Sequence, residues 1–370
     1  MSNSADTSAS ESMFLLSRLL LPAQSAGAHF PWTSNGFGSG CAGISRERFD
    51  EMVALAHANH VIVRALTVFR GIVQQAQDER RIAWADSALA EEQARIQAAL
   101  AVLRAICEAF EARGLDVTVI KSLDHWPDLG SDIDLYTNAD PEIVIGLMKG
   151  AFRARLAPRS WGDRLAHKWN FLLPELREPI EIHIGRLGQT GEQVEFAAAI
   201  PRRARTVTIQ GHSYRVPSTS DRLMISTLQR MYRHFYFRLC DILDSAGLVN
   251  DGALDYADLE RAASAAGIWE GVATYLKIVS DYVKKYRGAA LDLPEPVLTS
   301  ARFGAERIYF ANDFLRIPLV PHSASLYSSQ LTGLLRRREL HSSARLGLLP
   351  WLATAAMVGQ KITGSDKGIW

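Results

Sequence analysis

"KSLDHWPDLGSDIDLYT", residues 121–137, is the stretch on which the reading of this chain turns. Asp132 and Asp134 flank one isoleucine, and Ile133 and Leu135 alternate with them. That period of two marks a strand with both carboxylates on one face and the apolar side chains on the other. Such a strand is either a half-exposed edge with its carboxylates in water or one wall of a metal-binding site. An EF-hand loop is a poor alternative: position six carries no glycine, and alternation marks a strand rather than a loop.

The neighbouring segments extend the pattern. "LDVTVIK" predicts a strand ending at Lys121, and "KWNFLLPE" and "PIEIHIG" predict two more after "DIDLYT". "RTVTIQGHSYRV" predicts a hairpin turning at Gly211 and His212. In "PIEIHIG", Ile180, Ile182 and Ile184 face one way while Glu181 and His183 face the other. Were this strand to lie beside "DIDLYT", with both apolar faces on a common core, Asp132, Asp134 and Glu181 would converge. Packed carboxylates repel one another and are costly to desolvate unless a cation compensates them. Hard oxygen ligands suit Mg²⁺ or Mn²⁺, and two such ions activate a hydroxyl and stabilise a leaving pyrophosphate. His183 is open to three roles: orienting a carboxylate, accepting a proton, or hydrogen-bonding within a partly buried strand. Lys168 is either a group reaching a phosphate or, the better reading, a surface lysine; Asp124 and Asp128 read as turn formers, and His125 and Trp126 as base-stacking or loop-anchoring groups.

Helical patterns flank these strands. Phe49, Met52, Val53 and Ala56 recur at helical spacing behind Ser45, a plausible N-cap. A long helix is predicted from about residue 88 to 113, with Ile96, Leu100, Leu103, Cys107 and Phe110 as its apolar stripe and Gly114 as its stop. After "VPSTSD" a helix capped by Ser218 or Ser220 is predicted to run through "RLMISTLQRMYRHFYFRLCDILD", and residues 250–287 are again helical. Residues 1–12 are Ser-rich and read as disordered. Residues 33–44 read as a Gly/Ser-rich linker, since no strand precedes them and no GKS or GKT follows. The chain therefore divides into a disordered or linker segment (1–44), a helical region (45–114), a mixed-sheet core (115–217) and a C-terminal helical region (218–370). This is an α+β protein with a small mixed sheet and helical flanks.

The 370 residues carry a net charge of +1, so no global signal points to nucleic acid or an anionic membrane. The apolar run "MFLLSRLLL" is interrupted by Arg18 and preceded by acidic residues, which argues against a secretory signal. "LGLLPWLATAAMVG" is too short to span a bilayer. The three cysteines form no Cys-x-x-Cys pair, so neither a zinc motif nor a disulfide framework is indicated. Reduced thiols and a cytoplasmic location are the expectation.

In "QRMYRHFYFRLCDILD", Arg230, His234, Arg238 and Asp241 fall on one face of the predicted helix, with Leu228, Met231, Phe235, Leu239 and Ile242 on the other. Such a cationic stripe is either a solvated face, with Arg238 paired to Asp241, or a surface for a nucleoside triphosphate. Arg233 points elsewhere.

Nine residues separate Ser122 from Asp132, and a strand ends at the Lys121-Ser122 turn before them. In this order the chain resembles the nucleotidyltransferase superfamily related to DNA polymerase beta. More narrowly, it is similar to a bacterial nucleotidyltransferase family with a helical lead-in, a Lys-Gly turn, D-I-D-L, E-I-H and a later helix bearing His and Arg. The resemblance covers about residues 46–245. It implies Asp132, Asp134 and Glu181 as catalytic metal ligands for Mg²⁺ or Mn²⁺. It also implies Lys121, Ser122, His234 and Arg238 as groups for an NTP donor, ATP foremost, with transfer to an unidentified hydroxyl-bearing acceptor. Lys-Ser stands where the relatives carry Gly-Ser or Lys-Gly, which leaves a non-catalytic nucleotide- or partner-binding relative as the alternative. A nucleotide-sugar glycosyltransferase, which also uses D-x-D, needs a nucleotide-binding α/β domain before the motif, where this chain reads as helices.

Overall fold

The computed structural model describes residues 2–22, 43–352, 354, 355 and 358. Most of the linker expected at 33–44 lies outside these residues. The N-terminal segment expected to be disordered instead belongs to a helix, Ser2–Leu20. Met13, Leu16 and Leu19 are buried, and the Ser17 hydroxyl lies 2.7 Å from the Tyr282 hydroxyl. Tertiary burial of one apolar face outweighs the Ser-rich composition.

Helices Arg46–Ala58, Ile62–Gln75 and Glu79–Glu111 follow. Ser45 caps the first, its Oγ accepting the Arg48 N–H at 3.2 Å. The long helix begins nine residues before residue 88, because Asp78 accepts the Arg81 N–H and supplies an earlier cap. Its apolar stripe is buried as expected, and Gly114, at φ 67°, ends it.

The central sheet has five strands in the order β1 (Thr118–Val119), β2 (Ile133–Thr137), β5 (Ile180–Ile184), β4 (Lys168–Leu172) and β3 (Arg155–Leu156). β2 and β5 are parallel, while the other neighbours are antiparallel, so the sheet is mixed. The parallel pair needs a crossover, which includes helix Pro141–Phe152, capped by Asp140. Every residue of β2 and β5 is buried. Ile133, Leu135, Ile180, Ile182 and Ile184 form one buried face, each contributing about 1.5–3 kcal/mol. The polar face is buried as well. A solvated strand edge is thereby excluded.

Strands β6 (Arg205–Ile209) and β7 (His212–Val216) form the expected hairpin. Its turn lies one residue earlier than expected, at Gln210 and Gly211, both at positive φ as a two-residue hairpin turn demands.

The C-terminal region is not wholly helical. Helix Thr219–Gln229, capped by Ser218, gives way to a wider helical turn at Arg230–His234. Phe235 then adopts φ 56°, and β8 (Tyr236–Phe237) pairs with β10 (Phe314–Arg316), itself paired with β9 (Tyr309–Ala311). A new helix spans Leu239–Asn250, and Tyr256–Ala265 and Trp269–Arg287 follow. The continuous helix expected across 218–244 is therefore broken, and the strand pairing of Tyr236 and Phe237 is the reason. The architecture is α+β. No helix among the described residues is long and apolar enough to cross a membrane.

Candidate active site

The parallel register sets Asp134 directly opposite Glu181, and Tyr136 opposite His183. On the far side of β5, Lys168 of β4 stands opposite His183. Period-two alternation therefore gathers Asp134, Glu181, His183 and Lys168 on one sheet face. Asp132 lies just before β2 on the same side. His183 Nε2 lies 2.8 Å from Glu181 Oε1 and 3.6 Å from Asp134 Oδ1.

Two ammonium groups enter this cluster. Lys121 pairs with Asp134 and lies 3.9 Å from Glu181 Oε1. Lys168 bridges Glu181 Oε2 at 3.0 Å and Asp163 Oδ1 at 2.9 Å. It is buried, not the surface lysine expected. Burial works to discharge Lys121, but Asp134, Glu181 and Asp132 hold its pKa above the ordinary value. Burial likewise opposes the charge on Glu181, yet the His183 hydrogen bond and the two lysines hold its carboxyl well below the usual range. Asp132 is pushed up to about 6, first by the charge of Asp134 and then by burial. Four carboxylates, Asp132, Asp134, Asp163 and Glu181, thus stand against the ammonium groups of Lys121 and Lys168, and oxygen donors of this kind could hold a small hard cation.

The turn at Lys121 is tight. Lys121 has φ 62° and ψ −56°, and the Ser122 N–H donates to the Ile120 carbonyl at 2.6 Å. This is the three-residue turn of positive φ, rare for residues with a Cβ. Ser122, which the resemblance assigns to donor phosphates with its own and adjacent backbone N–H groups, here accepts the Asp134 N–H on its Oγ at 2.8 Å, and its side chain is buried. Ser122 pins the turn to the strand carrying Asp134.

The loop between Lys121 and Asp132 is anchored by side chains expected to act only as turn formers. Asp124 pairs with Arg222 at 2.6 Å. Asp128 accepts from the Val63 N–H and from Arg64, each at 2.6 Å. His125 Nδ1 meets Asp244 at 2.5 Å, so its polar edge is engaged.

The broken helix redistributes the basic stripe. Arg230 is buried and pairs with Asp241 Oδ2 at 2.7 Å, which also accepts the Arg238 N–H at 2.7 Å. Arg230 is a structural cation. Arg238 lies over the rings of Tyr236 and Phe314, with centroids 5.9 and 5.6 Å away. Its buried Nε has no hydrogen-bond partner among the described residues, and its charge reaches Asp132. His234 is held well below its ordinary pKa by burial, then by Arg233, Arg230, Lys121 and Arg238. Of the two expected donor-binding groups on this segment, Arg238 thus acts on Asp132, and His234 lies within electrostatic reach of Lys121. Arg233, expected to point away, lines a cavity of about 30 Å³ with Lys121, His183, Gln189 and Gln229.

No protein-family model matches the chain, and no curated protein matches it in sequence.

Proposed function

We propose that the chain is a nucleotidyltransferase that moves a nucleoside monophosphate from an NTP, ATP being the first to test, to a hydroxyl-bearing acceptor. The observation that carries the reading is the in-register burial of Asp134 and Glu181 on adjacent parallel strands, with Asp132 beside them. Mg²⁺, or Mn²⁺ in its place, held by Asp132, Asp134 and Glu181, would activate the acceptor hydroxyl and neutralise the leaving pyrophosphate. Lys121, already paired with Asp134, is the resident counter-charge of the acidic pair and becomes available to phosphate oxygens when Asp134 turns to another cation. Arg238 supplies a guanidinium with no carboxylate ion pair among the described residues, suited to bidentate phosphate contact. His234, kept neutral, offers one donor and one acceptor. His183 and Lys168 hold Glu181 ionised and oriented.

A second reading is a non-catalytic relative that binds a nucleotide or a partner. It is favoured by the Ser122 N–H being bonded to Ile120 and by Lys121 standing against Asp134. Thermal stability and pyrophosphate release, measured together with each NTP and Mg²⁺, separate the two. Stabilisation with release supports transfer. Stabilisation without release across acceptor pools supports nucleotide binding without transfer, and neither effect contradicts transfer and nucleotide binding alike.

A further inference from the structure

Behind the turn that carries Lys121 lies a second cluster. His60, His125 and Cys240 bring two ring nitrogens and one sulfur within 4.8 Å of one another. We propose that these three side chains bind one transition-metal ion of the zinc class, independently of the carboxylate site.

The donor set carries the choice of metal. One thiolate and two imidazoles suit zinc and disfavour Mg²⁺ or Ca²⁺. Zinc bonds of ordinary length put tetrahedral nitrogen and sulfur ligands roughly 3.5 Å apart. Cys240 Sγ lies 3.9 Å from His125 Nε2, so this pair is within a few tenths of an ångström of that spacing, and the His60 nitrogen lies within 4.8 Å of both. Binding takes the Cys240 thiol to its thiolate and releases one proton to solvent.

The surroundings are those of a built site. Asp244 holds His125 Nδ1 at 2.5 Å, leaving Nε2 toward Cys240, and Arg64 holds Asp244 at 2.7 Å. A carboxylate behind a ligating histidine fixes the ring and its tautomer. His60 is 6% exposed, and its Nδ1 has no hydrogen-bond partner among the described residues. Its backbone sits at φ 53°. Its ring packs on Gly130 so closely that a Cβ there would lie 3.1 Å from Cε1. Asn59 straps the two ends together: its Oδ1 accepts the Leu239 N–H at 3.0 Å, and its carbonyl accepts the Cys240 N–H at 3.3 Å.

Asp244, His125 and Cys240 also have the order of a nucleophilic triad. Cys240 is 0% exposed, so no substrate reaches its sulfur, and the metal reading is preferred. The ligands come from three distant parts of the chain, which is why cysteine spacing gave no zinc motif. The ion would tie the N-terminal helices and the helix Leu239–Asn250 to the loop between Lys121 and Asp132.

The full chain titrated with Co²⁺ tests this. The expected result is one equivalent bound, with a thiolate-to-cobalt charge-transfer band that disappears on adding Zn²⁺. The band is lost in Cys240→Ser and kept in Cys41→Ser, Cys107→Ser and Asp134→Asn. Absence of the band in the unaltered chain, or its survival in Cys240→Ser, overturns the proposal. Should Cys240→Ser not fold, zinc-edge X-ray absorption on the Cys41→Ser, Cys107→Ser variant decides. One sulfur in the first shell supports the site, and none overturns it.

Discussion

Asp134 faces Glu181 across a parallel strand pair, and the only ammonium in contact with Asp134 among the described residues is that of Lys121. Lys121 thus neutralises the Asp134 side of the pair, while Lys168 and His183 hold Glu181, and it does so from a backbone conformation that disfavours any residue with a Cβ.

Lys121→Ala removes that counter-charge. Stripping one partner from a buried ion pair costs about 3–5 kcal/mol. Lys121→Gly suits the positive φ better and recovers about 1 kcal/mol of the loss. Denaturant unfolding measures both. Mg²⁺ is expected to raise the Tm of Lys121→Ala more than that of the unaltered chain, because a cation replaces the missing ammonium. Equal responses in the two proteins count against the cation site.

Arg230 and Arg238 have opposite roles. Arg230→Ala leaves Asp241 buried and unpaired, at a cost of about 3–5 kcal/mol. Arg238 has no carboxylate partner among the described residues, and Arg238→Ala changes stability by less than about 1 kcal/mol. It weakens donor binding about ten- to a hundredfold, the equivalent of about 1.5–3 kcal/mol for a charge-assisted hydrogen bond. Unfolding curves and nucleotide titrations on both variants check the contrast.

The acidic triad was legible because alternation fixes which face each side chain takes, whatever the strand order. Asp132, Asp134 and Glu181 could be phased from sequence for that reason. Strand adjacency was not legible, and so Lys168, at the first position of β4, passed for a surface residue. Its pairing with His183 across the sheet made it a partner of Glu181. The helix break was hidden because Leu228, Met231, Phe235, Leu239 and Ile242 keep helical spacing straight through it. No glycine or proline marks the site, and the cause, pairing with Leu315 and Arg316, is remote in sequence. The signal present was the aromatic run Phe235-Tyr236-Phe237, which favours a strand. The helix Ser2–Leu20 was masked by a serine-rich start, although Met13, Leu16 and Leu19 already held its buried face.

Glu192 gives a pH dependence away from the site. It is buried, and burial raises its carboxyl pKa despite hydrogen bonds from Thr190. The folded chain therefore holds a proton that the unfolded chain releases at lower pH. Stability is full below the ordinary carboxylate range and falls as pH rises through the raised value. Glu192→Gln removes this loss, its amide facing Gln330, whose Oε1 lacks a partner among the described residues. Unfolding from pH 4 to 8 is expected to show Glu192→Gln more stable near neutrality, with the gap closing on acidification. A gap that widens on acidification contradicts the assignment.

Transfer of label from an α-labelled NTP, with Mg²⁺ and pools of small-molecule and protein acceptors, tests nucleotidyl transfer most directly. The expected result is labelled acceptor and stoichiometric pyrophosphate, reduced about 10²–10³-fold or more in Asp134→Asn and Glu181→Gln variants that retain the native fold. No transfer from any of the four NTPs, or transfer undiminished in those variants, would contradict it.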